Sequence, residues 1–234
     1  KVFADVVAVM AQENPQLRVL FIGGGGYTMP RFLEAHYPQS ALEVVEIDPE
    51  VTEVAFQYLG LPRGTNIVTY NEDARTKLPK LPGERYDLVI GDAFNDVSVP
   101  YHLTTLQFNQ QVKALLKDQG IYMVNVVDKL HTGRFLRAYV NTLQRTFPQV
   151  YVLRDDTDWD SDSRSTYVVA ASQSPISAMA LQEANLRAGR GELVAQLMPE
   201  EAFQAWQASK GIIVLTDDYV PVENLLAPLY LESR

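Results

Sequence analysis

Short apolar runs of strand length alternate along the chain with stretches whose apolar positions return every three to four residues. The runs are RVLFI (18–22), ALEVVEI (41–47), NIVTY (66–70), YDLVIGD (86–92) and GIYMVNVV (120–127), bounded by Gly, Pro or Asn. Between them PRFLEAHY, PEVTEVAFQYL and TTLQFNQQVKALLKD read as helices, the second opened by Pro49 behind Asp48 and the third by Thr104-Thr105. Buried runs joined by helical crossovers predict a parallel sheet covered on both faces. Ahead of it, VFADVVAVMA (2–11) sets Val2, Val6, Val9 and Met10 near one helical face, and Asn14-Pro15 stops the pattern. Behind it come a helix, FLRAYVNTLQRTF (135–147), and two strand candidates, VYVLR (150–154) and STYVVAAS (165–172). Their short connection predicts an antiparallel pair that closes the sheet. The expected fold is α/β, a Rossmann-like doubly wound, mostly parallel seven-stranded sheet with an antiparallel last hairpin, plus C-terminal helices. Residues 176–208 read as two helices, and LTDDYVPVENLLAPLY (215–230), with two prolines, reads as loop. We expect one domain, with the sheet in 1–175 and a helical appendage in 176–234 packed on it.

Composition narrows the chemistry. At 234 residues, 47% of them hydrophobic, the chain can bury a sizeable core. Its formal charge of −9 argues against a nucleic-acid partner. The absence of cysteine closes the thiol chemistries and fits a reducing compartment. No apolar run reaches the roughly 18 residues of a membrane-spanning helix, so a cytoplasmic location is expected. The chain starts at Lys1 within a helical pattern and without an initiator Met, so we expect it to be cut from something longer.

Candidate chemistry gathers where strands end. Gly23-Gly24-Gly25-Gly26 follows the first strand directly, and such a run lets bare backbone approach a ligand in the first crevice of an open sheet. Glu46 ends the second strand about twenty residues on, where doubly wound nucleotide sites put a carboxylate on ribose hydroxyls. A dinucleotide fingerprint would need glycine where Thr28 or Met29 stands, which disfavours a nicotinamide oxidoreductase. Acids also follow the third strand, at Asp73 in NEDAR, and the fourth, at Asp92 and Asp96 in DAFND. Asp73 could accept from an adenine amino group. A crevice so lined suits a nucleoside with a short cationic tail.

The run VLFIGGGG, then VVEIDPEV, NEDAR and YDLVIGDAF, resembles the spermidine synthase family, polyamine aminopropyltransferases built on the class I AdoMet-dependent methyltransferase fold. The likeness covers roughly residues 1–172. DAFNDVSVPYHLTT and LTDDYVPVENLLAP are most similar to the spermidine-synthase-like domain of bacterial proteins that carry it behind a membrane portion. The resemblance implies AdoMet or decarboxylated AdoMet as co-substrate, an amine acceptor, no metal, a possible homodimer and an upstream membrane-embedded portion. It places Gly23, Gly24, Gly25 and Gly26 beside the aliphatic tail, Glu46 with Ile47 and Asp48 at the ribose, and Asp73 with Ala74 at the adenine. Asp92 would be the general base, with Asp96 or Tyr101 orienting the amine.

Two departures from the family pattern stand out. Its glycine motif continues with an aspartate where this chain has Gly26 followed by Tyr27, and its D-S-x-D-P-like motif here reads DAFNDVSVP. Loss of the acid at Gly26 favours ordinary AdoMet or another acceptor. An AdoMet-dependent methyltransferase and a non-catalytic nucleoside- or polyamine-sensing domain therefore stand as alternatives. Elsewhere, His36, His102 and His131 lack ligand spacing, and the acidic DDTDWDSDS run lacks the glycine and terminal Glu of a calcium loop. Asp217 and Asp218 could reach back over the pocket as a lid or could cap the final helix.

Overall fold

The structure is a computed structural model, and it describes residues 1–93, 99–187 and 194–231. Helix α1 (Val2–Glu13) leads into β1 (Arg18–Ile22), α2 (Thr28–His36), β2 (Ala41–Val45), α3 (Pro49–Tyr58) and β3 (Val68–Tyr70). Then come α4 (Ala74–Lys77), β4 (Tyr86–Gly91), α5 (Leu106–Leu115), β5 (Leu116–Asp128) and α6 (Phe135–Leu143). The hairpin of β6 (Gln149–Arg154) and β7 (Ser165–Ser172) is followed by α7 (Ala178–Arg187), β8 (Gln196–Leu197), α8 (Glu200–Ala208) and α9 (Val222–Leu231).

One sheet of eight strands runs in the order β3-β2-β1-β4-β5-β7-β6-β8. The first five are mutually parallel, while β7 pairs antiparallel with both β5 and β6. The sequence called for seven strands; the eighth is β8, two residues paired with Leu153 and Arg154. The strand order reverses between β1 and β4, and in open α/β sheets ligands bind outside the strand carboxyl ends at such a switch point.

Period-two alternation sorts the strand side chains between the two faces. Leu20, Ile22 and Val89 join the core shared with α5, α6, α8 and α9, whereas Val19, Phe21, Leu88 and Ile90 join the core shared with α1, α2, α3 and α7. Fully buried side chains such as Phe21 and Phe108 each contribute about 1.5–3 kcal/mol by leaving water.

Two element assignments differ as well. The segment read as loop contains α9, because Val222, Leu225, Leu226 and Leu229 fall on one face and are all buried. Pro221 precedes the helix, and Pro228 inside it deprives only Asn224, an exposed residue whose carbonyl can turn to water. The third crossover helix ends at Leu115, and β5 begins at Leu116, before a register shift opposite Tyr86 and Leu88. Leu116 sits buried in strand geometry, an outcome that apolar period alone could not separate from helix.

Candidate functional site

The carboxyl ends of β1, β2 and β4 enclose a cavity of about 280 Å³. Its floor is apolar, with Ile22, Val45, Ala74 and Leu103, and its rim carries Gly23, Gly25, Glu46, Asp73 and Asp92. Gly23 has φ of 96°, and a Cβ there would sit 2.8 Å from the Asp92 carbonyl oxygen. The ends of β1 and β4 therefore close on each other only with glycine at that position. Beyond it, the Gly24 and Gly25 amides donate to Glu46 Oε2 at 2.7 and 3.3 Å, and the Asp48 amide donates to Oε1 at 3.0 Å. Glu46 is buried, and a carboxylate offers about four acceptor directions, so its remaining one is free to take a ligand hydroxyl.

Ile47 stands at the lip of the same cavity with 64% of its surface exposed, an apolar side chain uncovered where a flat ring could lie. Asp48 is outside the lining; its carboxylate caps α3 by accepting from the Glu50 amide. Asp73 caps the first turn of α4 through the Thr76 amide, and its other oxygen lies 3.3 Å from His102 Nε2. Ala74 is buried beneath it. Tyr101 is exposed and set edge-on against His102, outside the lining of this cavity. Gly24 and Gly26 are likewise not wall residues, while Asp96 lies outside the described residues.

Asp92 is the residue on which the region turns. It also lines a second cavity, of about 270 Å³, with Asn125 in the last third of β5, Asp155 just past β6, Thr166 near the start of β7, and Lys1, Val2 and Phe3 at the start of α1. Although Asp92 keeps an exposed edge, desolvation by the surrounding strand ends pushes its carboxyl above the usual carboxylate range, and a hydrogen bond from Asn125 partly opposes that. Sequence reasoning missed Asn125, Asp155 and Thr166. The signal was topological: because β6 runs parallel to β5, the tip of the last hairpin comes to the same sheet edge as the glycines.

Tyr27 was also missed. Its φ of 55° is left-handed, a conformation costing a non-glycine residue about 1–2 kcal/mol. Its side chain is wholly buried, with the hydroxyl within 3.2 Å of Thr52 Oγ1 and 3.1 Å of Thr69 Oγ1.

Asp217 does not form a lid. Its carboxylate accepts from Arg75 and from the Thr105 hydroxyl, fixing the C-terminal segment beside the start of α5, and Arg75 also donates to the His102 carbonyl. His36 and His131 engage the Phe32 and Trp159 carbonyls, and neither lines the cavity.

The Spermine/spermidine synthase domain matches residues 4–154. The chain belongs to this family. Within and around it, the chain is 37% identical over 110 residues to a polyamine aminopropyltransferase of Vibrio vulnificus, covering 46% of this chain and 37% of that protein. It is 26% identical over 235 residues to a probable polyamine aminopropyl transferase of Bifidobacterium longum, covering 95% and 52%. It is also 30% identical over 166 residues to an eEF1A lysine and N-terminal methyltransferase of Mus musculus, covering 64% and 24%. The chain thus spans between about a quarter and half the length of these relatives. Among solved structures, a probable spermidine synthase from Corynebacterium glutamicum superposes with a TM-score of 0.75 at 22% identity, over 91% of this chain and 78% of that one. Human methyltransferase-like protein 13 in complex with SAH superposes with a TM-score of 0.64 at 21% identity, over 96% and 97%. The family's fold is thereby the fold of this chain, a Rossmann-like sheet of the methyltransferase type. No helix among the described residues is long and apolar enough to cross a membrane.

Proposed function

We propose that this chain transfers an aminopropyl group from a decarboxylated AdoMet-type sulfonium to an amine, with Asp92 as general base. The observation that carries the reading is that Asp92 belongs to the walls of both cavities. A donor in the first and an amine in the second would meet at its carboxylate. In the reaction a new N–C bond forms as the C–S bond of the sulfonium breaks, the sulfur keeps the electron pair as a neutral thioether, and the amine proton passes to Asp92. A carboxyl with a raised pKa is suited to hold that proton.

In this reading Glu46 accepts from the ribose, Ile47 and Ala74 flank the adenine, and Asp73 accepts from its amino group. Gly23 and Gly25 lie along the aliphatic tail. Gly24 and Gly26 shape that loop, and Asp48 shapes the turn after β2. Asp155 and Asn125 face the amine, and Tyr101 and Asp96 help to orient it. Residues 1–175 carry the nucleoside, and 176–234 buttress them.

A second reading, methyl transfer from AdoMet itself, is favoured by one specific feature: at Gly26 the family's acid, a partner for an ammonium, is missing. The two are separated by incubating the chain with AdoMet or decarboxylated AdoMet and with putrescine or spermidine. Mass spectrometry then reads an aminopropyl or a methyl gain. Donor binding with no transfer to any amine would sink both and leave a sensing role.

A further inference from the structure

Tyr27 combines a backbone conformation that L residues avoid with complete burial of its side chain under the glycine loop. We propose that Tyr27 is a positioning residue that sets the clamp between Glu46 and the glycine loop, and through it the ribose-recognition geometry of the nucleoside site. The proposal rests on the nucleoside reading above for its second part only.

The geometry runs on two sides of Glu46. On one side, the Tyr27 amide donates to the Gly24 carbonyl at 2.8 Å, closing a turn that aims the Gly24 and Gly25 amides at Glu46 Oε2. The Tyr27 ring lies directly beneath that turn, where a Cβ on Gly24 would come within 2.7 Å of it. On the other side, Tyr27 Oη meets Thr52 Oγ1, which accepts from Asn71 Nδ2 at 2.9 Å, and the same amide donates to the Glu46 carbonyl at 3.3 Å. Tyr27 is thus tied to the carboxylate through its amide and ring beneath the loop, and through its buried hydroxyl to the Glu46 main chain by way of Thr52 and Asn71. A ring alone would fill the space without fixing the second connection.

The test compares the full chain with its Tyr27→Phe variant, which keeps the ring and removes the hydroxyl. Amide hydrogen exchange is read first, without ligand. The Gly24 amide should exchange about tenfold faster in the variant, while Phe21 and Ile90 stay within about twofold, because the opening is local. Unchanged exchange at Gly24 overturns the clamp. Calorimetry then compares adenosine with 2′,3′-dideoxyadenosine. The intact chain should prefer adenosine by about tenfold and the variant by less than about threefold, the loss expected for one misplaced acceptor. An undiminished preference in the variant overturns the proposal, and so does an equal loss of affinity for both nucleosides, which would mark a merely structural role. If the intact chain binds neither nucleoside, the nucleoside reading falls while the exchange result still decides for or against the clamp. Should Tyr27→Phe fail to fold, Thr69→Val removes one partner of the hydroxyl and should shift Gly24 exchange in the same direction by a smaller factor.

Discussion

Asp128, at the end of β5, is fully buried and seats the turn that follows by accepting from the Lys129 amide at 2.8 Å and the Leu136 amide at 2.7 Å. Burial drives its carboxyl up to about 6, against those hydrogen bonds and the nearby Arg137. A shift of roughly two units from the ordinary value corresponds to about 3 kcal/mol at ~1.4 kcal/mol per unit. The sign follows from the folded value lying above the unfolded one. Protonation stabilises the native state fully below the unfolded pKa near 4, and this contribution disappears as pH rises through about 6. Between pH 4.5 and 7.5 the loss is about 2 kcal/mol of the total. The perturbation is Asp128→Asn, which removes the titration and keeps an acceptor. Urea denaturation of both chains across that range should show the stability of the intact chain falling relative to the variant by about 2 kcal/mol as pH rises. Parallel stability curves would refute the argument, and so would a gap that widens in the opposite direction, which would mean that the carboxylate is stabilised where it sits.

Asp92→Asn should lower transfer by about 10²–10⁴ while nucleoside affinity measured by calorimetry changes less than threefold, as for loss of a general base. In the intact chain kcat/KM should rise with pH through an apparent pKa above the normal carboxylate range, since the base must be ionised. Gly133→Ala would place a Cβ 2.1 Å from the Lys129 carbonyl and 2.3 Å from Asp128 Oδ1, a backbone collision that should cost about 3 kcal/mol or more in thermal unfolding. Gly23→Ala should weaken nucleoside binding more than stability, because its φ of 96° and the contact with Asp92 both force the loop outward. Asp217→Ala should lower stability by about 1–2 kcal/mol through the lost carboxylate bonds to Arg75 and Thr105.

Most of the parallel half of the sheet was legible because β1, β2, β4 and β5 are largely buried and appear as mainly apolar runs, with glycine or an acid at or just past each end. Glu46, Asp73 and Asp92 could be placed together for the same reason: strand ends at one sheet edge are neighbours whatever lies between them. What stayed hidden has physical causes. A left-handed tyrosine cannot be inferred from residue type, so Tyr27 read as an ordinary residue after four glycines. The two prolines of 215–230 spoke for loop, yet one precedes α9 and the other spends a hydrogen bond on its solvent side. Asp217 pairs with a residue 142 positions away, beyond the reach of any local pattern. The second cavity needed the direction of β6, which follows from how β7 inserts and not from the composition of either strand.

The bonds that join Asp217 to Arg75 and Thr105, with the Leu106 amide donating to the Leu215 carbonyl, span most of the polypeptide. A ribosome releases residue 75 long before residue 217, so the early crossovers must wait for the last stretch before their outer layer is sewn in place. Such late closure raises contact order and slows folding. It also makes the carboxyl terminus a poor place to shorten this polypeptide, however far it lies from the glycines along the chain.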